Sequence, residues 1–153
     1  MHKNSSNISK ADAYLKDAFH EKDRADKLMQ AQDWNGSIEA LQHSIEHSIK
    51  SLFLLVGLQH PFEHDPTAEF DAVFGKLQNM VKDPYYFNWV DLARVRWIAK
   101  VWATMHEESM YPFHNIPAKE FFMKKDAEIL KDYAEEVYRI CSNVFLLIQV
   151  INA

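Results

Sequence analysis

The chain reads as an all-α protein, an antiparallel up-and-down bundle of four long helices plus one short helix. Three observations predict this. Only 3 Gly and 5 Pro occur in 153 residues, too little turn material for an all-β fold. An apolar content of 48% supplies one core, and the length fits one domain. Apolar residues also recur at spacings of three and four through long windows. The expected division is a disordered tail at 1–8 and one helical domain at 9–153.

The first helix is expected from about Ser9 to about Ala31, with Tyr14, Leu15, Ala18, Ala25, Leu28 and Met29 on one side. Its other side carries Lys16, Asp17, Glu21, Asp23 and Lys27, a solvated face. Asp33-Trp34-Asn35-Gly36 supplies a turn, because Asp, Asn and Gly tolerate turn and cap geometry. The second helix then runs from near Ser37 to a C-terminal cap at Gly57, on a stripe of Ile38, Leu41, Ile45, Ile49, Leu52 and Val56. Asp65-Pro66 reads as an N-cap followed by proline at the first helical position, opening the short helix through about Val81. A loop follows to Asn88. The next long helix starts there, with Asp91 placed to serve its first-turn amides, and runs to the Tyr111–Pro117 loop. The last helix repeats Met123, Ala127, Leu130, Ala134, Val137, Cys141, Val144, Ile148 and Ile151, the seam of an antiparallel bundle. Its end adds Leu146, Leu147 and Val150, and the helix before it shows Trp97, Val101 and Trp102 on more than one face. Faces wider than one core needs bury against a second subunit, so a homodimer is expected.

A formal net charge of -5, with acids and bases interspersed, argues against charge-driven binding of bulk nucleic acid. A local basic pocket remains compatible with it. The one cysteine, Cys141, excludes an internal disulfide and falls in the apolar seam, as a small buried hydrophobe would. The opening residues are polar, without the apolar stretch of a signal peptide. No apolar run approaches a membrane span; the longest, Val144–Ile151, is too short. The expectation is a soluble cytoplasmic protein without membrane contact and without a cofactor.

Two metal readings arise from the histidines. His43-Ser44-Ile45-Glu46-His47 is an H-x-x-E-H string, in which two imidazoles one turn apart hold zinc and the acid serves as general base. A catalytic zinc needs a third protein ligand, and neither His64 nor Glu107 is singled out by spacing. The plainer reading is a solvent-facing pair, which leaves His43 and His47 as weak metal candidates. A di-metal carboxylate centre needs Glu-x-x-His, which the chain lacks; Asp17-Ala18-Phe19-His20 is the nearest string. Other candidates lie near loops. His64-Asp65 reads equally as an N-cap with a surface histidine, and Arg94 and Arg96 as cation–π or ion-pair packing. Glu107 and Glu108 beside Tyr111-Pro112 read as a pocket edge or as a solvated helix end. A Gly-rich phosphate loop is absent from the sequence.

Taken together, these residues resemble the standalone prokaryotic type of the HEPN family. The matches are Trp34 in the turn, then Gln42, Ser44, Glu46, Ser48, Lys50 and Leu52 on the second helix, and its Gly57 cap. His64-Asp65, Tyr111-Pro112, Asp126-Ala127-Glu128 and Ala134-Glu135-Glu136-Val137 follow in the family's order. Small residues at 44, 48 and 51, where the family prefers Ala, let another helix approach closely. Glu46 and Lys50 form an i,i+4 pair in the favourable orientation. The resemblance implies a homodimeric helical bundle that binds a nucleotide or RNA, or pairs with a nucleotidyltransferase in a toxin–antitoxin module. Ribonuclease members carry Arg-x(4–6)-His, in which arginine grips phosphate and histidine moves a proton. Here Arg24, Arg94, Arg96 and Arg139 have no such histidine downstream, and Met110 stands where the family's late loop has arginine. The reading is therefore a non-catalytic module with a candidate ligand pocket of His64, Asp65, Arg94, Arg96, His106 and Tyr111. The alternatives are a ribonuclease-like toxin using a relocated His106 or His114, and a purely structural dimerisation scaffold.

Overall fold

The computed structural model describes residues 2–59, 67–83, 87–110 and 115–152, with backbone alone at 2–5, 67–68, 102–110 and 118–119. Six helices occur among them: α1 (His2–Gln30), α2 (Trp34–Leu55), α3 (Thr67–Met80), α4 (Trp89–Met110), α5 (Ala118–Phe121) and α6 (Lys124–Asn152). Helix α2 is the hub. It packs most extensively on α1, then on α6, and also touches α4 and α5.

The α1–α2 contact is a seam of small residues. Ala11, Ala18 and Ala25 on α1 and Ser37, Ser44 and Ser51 on α2 each recur every seven residues, and all six are buried. A seven-residue step returns a helix to nearly the same face, so each set forms a straight line. The Ser44 hydroxyl donates to the Ala18 carbonyl at 2.9 Å, a hydroxyl on one backbone reaching the backbone of the next. Tyr14 meets His47 edge to face, and Gly57 lies beside Asn7. These pairs descend α1 while climbing α2, so the two helices run in opposite directions, and the same register sets Ala11 opposite Ser51 and Ala25 opposite Ser37. Without larger side chains in the way, the helices close in, and Ile38, Leu41, Ile45, Ile49 and Leu52 are left to fill the core on either side.

The other helices lock onto this pair. Lys131 of α6 reaches Asp26 of α1 at 2.8 Å, while Tyr138 takes Lys22 over its ring at 4.5 Å. On the opposite flank, Glu136, Tyr133 and Arg139 of α6 meet Arg94, Trp97 and Asp91 of α4, again in opposed chain order. Aromatic rings hold α3 in place: Phe70 sits edge-on to Phe53 of α2, and Phe74 stacks on Trp89 of α4. In α6 the buried residues Ala127, Leu130, Ala134, Val137, Cys141, Val144 and Ile148 follow the seam expected of it.

Several boundaries differ from the sequence reading, each for a physical reason. Helix α1 extends back to His2 through the polar stretch expected to be a tail, because Ile8 packs on the core and Asn7 lies beside Gly57. Trp34-Asn35-Gly36 is the first turn of α2 and not a free turn. Asp33 is its N-cap, with Oδ1 accepting from the Gly36 amide at 2.9 Å. A Cβ at Gly36 would stand 2.5 Å from Asp33 Oδ2, so a larger residue there would make the Asp33 carboxylate shift. At the other end Gly57 takes φ 76°, the left-handed conformation that closes a helix. Asn88 caps α4 by accepting from the Val90 amide, while Asp91, expected to serve those amides, faces Arg139. One short helix is expected and two are found, since α5 adds a single turn before α6. Met123 and Ile151, the ends of the predicted seam, are exposed. The Asp65-Pro66 cap and the Tyr111–His114 part of the following loop lie outside the described residues.

The seam makes an asymmetric prediction at Ser44. Ser44→Ala removes one buried hydroxyl and costs about 1 kcal/mol. Ser44→Leu forces the helices apart and costs roughly 1–3 kcal/mol or more. Urea denaturation of the two variants would show the order, and a Leu variant as stable as the Ala variant would contradict close packing at this position.

Candidate functional site

Two arginines of α4 are the best described part of the candidate pocket. Positions two apart on a helix point about 200° apart, so Arg94 and Arg96 diverge. Arg94 turns to α6, where Nε and Nη2 donate to the two carboxylate oxygens of Glu136 at 2.8 and 2.9 Å. Its guanidinium also lies over the Trp97 ring at 5.0 Å, and Trp97 is braced edge-on by Tyr133. The forked hydrogen bond holds the Glu136 carboxyl below the usual carboxylate range. Arg96 turns the other way, to Asp71 of α3, at 3.2 Å. Both guanidiniums therefore join helices, and the structure does not bring them together around one ligand. The plainer sequence reading, cation–π and ion-pair packing, describes Arg94 on both counts.

The remaining pocket residues are not placed. His64, Asp65 and Tyr111 lie outside the described residues, as does His114. His106 falls in the part of α4, 102–110, where only the backbone is described.

The H-x-x-E-H string lies on the α1 side of α2. The His43 and His47 rings are nearly parallel, 7° apart with centroids at 6.4 Å, so they stack without converging on a shared point. His47 Nδ1 is shielded from solvent and has no hydrogen-bond partner among the described residues. Burial lowers the His47 pKa below its ordinary value, a stronger effect than that of Glu46, which favours the charged form. Glu46 is ion-paired with Lys50 one turn on. Burial alone would raise its pKa, but the Lys50 hydrogen bond and charge, with His47 and His43, bring it below the usual range. A general base for a bound water would need a free carboxylate, whereas this one is tied to an ammonium. Among the described residues no group of three or more His, Cys, Asp or Glu side chains is arranged to hold a metal. Glu46 and Lys50, the family-motif pair, thus act within α2.

Three recesses mark the described surface. One of about 350 Å³ lies where Met29 and Gln30 of α1, Trp34 of α2 and Lys124 of α6 meet. A second, of about 150 Å³, opens between the cap residue Asn88, Asp91 of α4 and Asn143 of α6. The third, of about 400 Å³ and almost wholly apolar, separates Met80 and Val81 from Leu147, Val150 and Ile151. None of these three is lined by Arg94, Arg96, His43 or His47. The sequence reading missed them because each forms where helix ends from distant parts of the chain meet, which periodicity within one helix does not report. Cys141 is fully buried, and its thiol pKa is pushed far above the ordinary range by burial, which makes it inert packing. Among the described residues, no helix is long and apolar enough to cross a membrane.

The order of long helices, the small-residue face of α2 and its Glu46–Lys50 pair agree with one family. The model of the HEPN domain matches residues 11–144, most of the chain, and the protein belongs to the HEPN family. No curated protein and no solved structure matches it.

The His47 environment predicts a pH dependence of stability. Burial keeps the folded-state pKa below the ordinary 6.5, so on acidification the unfolded chain takes up the proton first. Stability is therefore unaffected by His47 at higher pH and falls as pH drops through the ordinary histidine range. Thermal melts from about pH 7.5 to about pH 5 should show a shallower fall for His47→Gln than for the wild type. Equal slopes would mean that the ring is solvated.

Proposed function

We propose that this HEPN domain is a non-catalytic module that works by binding, as a cytoplasmic homodimer. Its partner is a nucleotide or a nucleotidyltransferase protein in a toxin–antitoxin type system. The reading takes the four long helices as an antiparallel up-and-down bundle, in line with the opposed contact registers of α1 with α2 and of α4 with α6. One observation carries it: Arg94 and Arg96 are committed to Glu136 and Asp71 on opposite sides of α4. Phosphate chemistry of the Arg-x(4–6)-His kind needs an arginine free to grip an anion and a histidine one or two turns on. The sequence places no histidine there.

A binding role is also supported by the surface. Val90 (68% exposed) and Trp97 (47%) on α4 and Leu146 (58%) and Val150 (74%) on α6 leave large apolar side chains in water. Such groups mark contacts with other molecules when they cluster. They lie on the two helices whose apolar girth exceeds what one core needs, which favours the homodimer.

Two assays separate this reading from its rivals. A ligand that binds only the folded state raises the melting temperature, by an amount set by the ratio of its concentration to Kd. ATP or GTP at millimolar concentration is expected to give such a rise, or else the protein is expected to co-purify with a co-expressed nucleotidyltransferase. Neither result would leave only the scaffold reading. The purified protein is expected not to cleave RNA, and cleavage lost on His106→Ala or His114→Ala would replace the binding reading with the toxin.

A further inference from the structure

We infer that Lys22 is a modification site, a lysine of α1 whose amine takes an acyl group from an activated donor, an acyl phosphate or a thioester. Its surroundings set it apart from the other lysines with described side chains. Three of these are half-buried: Lys22, Lys50 and Lys131. Lys50 is ion-paired with Glu46, and Lys131 with Asp26 at 2.8 Å. On α1 itself, Lys16 and Lys27 are each paired with an aspartate one turn earlier. Lys22 lies instead over the Tyr138 ring of α6, 4.5 Å from its centre, and makes no ion pair among the described residues.

An ammonium is a compact, strongly hydrated charge. Half-burial removes part of its water, and a ring face returns less than a carboxylate does. Burial accordingly lowers the Lys22 pKa, against the pull of Glu135 and Asp26 and with a smaller push from Lys131. Hydrogen bonds to Asp23 and Asp26 do the reverse for Lys27 and Lys131. Only the neutral amine carries the lone pair that attacks an acyl carbon, so Lys22 is the lysine this fold readies. Phe19, exposed and one turn earlier on α1, has its ring 6.1 Å from that of Tyr138. The ring under the amine thus continues into a second, an apolar surface for the carbons of the acyl group.

In the step, the neutral amine attacks the carbonyl carbon and a C–N bond forms. The bond from that carbon to the phosphate oxygen or thiol sulfur breaks, and the leaving group departs with the bonding pair. The proton released from nitrogen passes to water, and nothing is oxidised or reduced. The product amide is neutral, so Tyr138 loses the cation on its ring and α1 loses that hold on α6.

The test treats folded protein at about pH 8 with limiting acetyl phosphate or, in a parallel reaction, an acetyl thioester, and follows each lysine by peptide mass spectrometry. Lys22 should react faster than Lys10, Lys16 and Lys27 on the same helix, by roughly two-fold or more over Lys27. In concentrated guanidinium chloride the preference should vanish, because it comes from the fold. Glu135→Gln, at an exposed position, should quicken Lys22 by removing a charge that favours its ammonium, and leave Lys27 unchanged. The site is overturned if Lys22 reacts no faster than the other three with either donor, if its preference persists in the unfolded chain, or if Glu135→Gln leaves its rate unmoved. Lys22→Gln, neutral like the amide, should melt below Lys22→Arg, and equal melting temperatures would overturn the effect on the α1–α6 contact.

Discussion

The close approach of α1 and α2 is the constraint on which the rest of the bundle depends. Helix pairs in ordinary globular packing stand 8–10 Å apart, at a distance set by the side chains between them. Here those side chains are Ala11, Ala18 and Ala25 against Ser37, Ser44 and Ser51, all buried. The neighbours of this seam, not the seam itself, carry the apolar bulk. Ile38, Leu41, Ile45 and Leu52 are buried in the core, and Phe53 meets Phe70 of α3 edge-on. A larger residue at Ser44 would displace α1 and, with it, the Asp26 and Lys22 contacts that hold α6. Serine in place of alanine adds a hydroxyl to the seam, and at these three positions it donates to a backbone carbonyl. Ser37 finds the Asp33 carbonyl, Ser44 the Ala18 carbonyl and Ser51 the Ser48 carbonyl.

Much of this was legible in the sequence because it is periodic within single helices. The α6 stripe from Ala127 to Ile148, the Gly57 cap and the start of α4 after Asn88 each rest on local rules that tertiary packing did not override. The misplaced features depend on contacts between elements. The extension of α1 to His2 reflects the packing of Ile8 on the core, and Trp34 joins α2 because Asp33 caps that helix one residue earlier. The one-turn α5 is too short for periodicity to reveal.

The candidate site was less legible than the fold, and Arg94 and Arg96 show why. Sequence reports that two arginines stand near each other on a helix rich in tryptophan, but not which way each turns or which acid answers it. Glu136 lies 42 residues from Arg94 and Asp71 lies 25 from Arg96, separations at which no spacing rule applies. The H-x-x-E-H string shows the converse. Its spacing suits a metal, yet the parallel rings and the Lys50 partner of Glu46 belong to helix packing. Membership of the HEPN family came instead from the order of unremarkable residues such as Ser44, Glu46 and Lys50 along the chain.

Helix α6 is stitched along both flanks, to α1 through Lys131 and Tyr138 and to α4 through Tyr133, Glu136 and Arg139. Rotation about its own axis would break both rows at once, so the outward direction of its last turns is set by contacts two to three turns earlier. Leu146 and Val150 are carried on a helix held from both sides, and unlike side chains on a loop they need little backbone ordering when they meet another surface. Association that must first immobilise its contact residues loses affinity to their conformational entropy. This face has made most of that loss already, during folding.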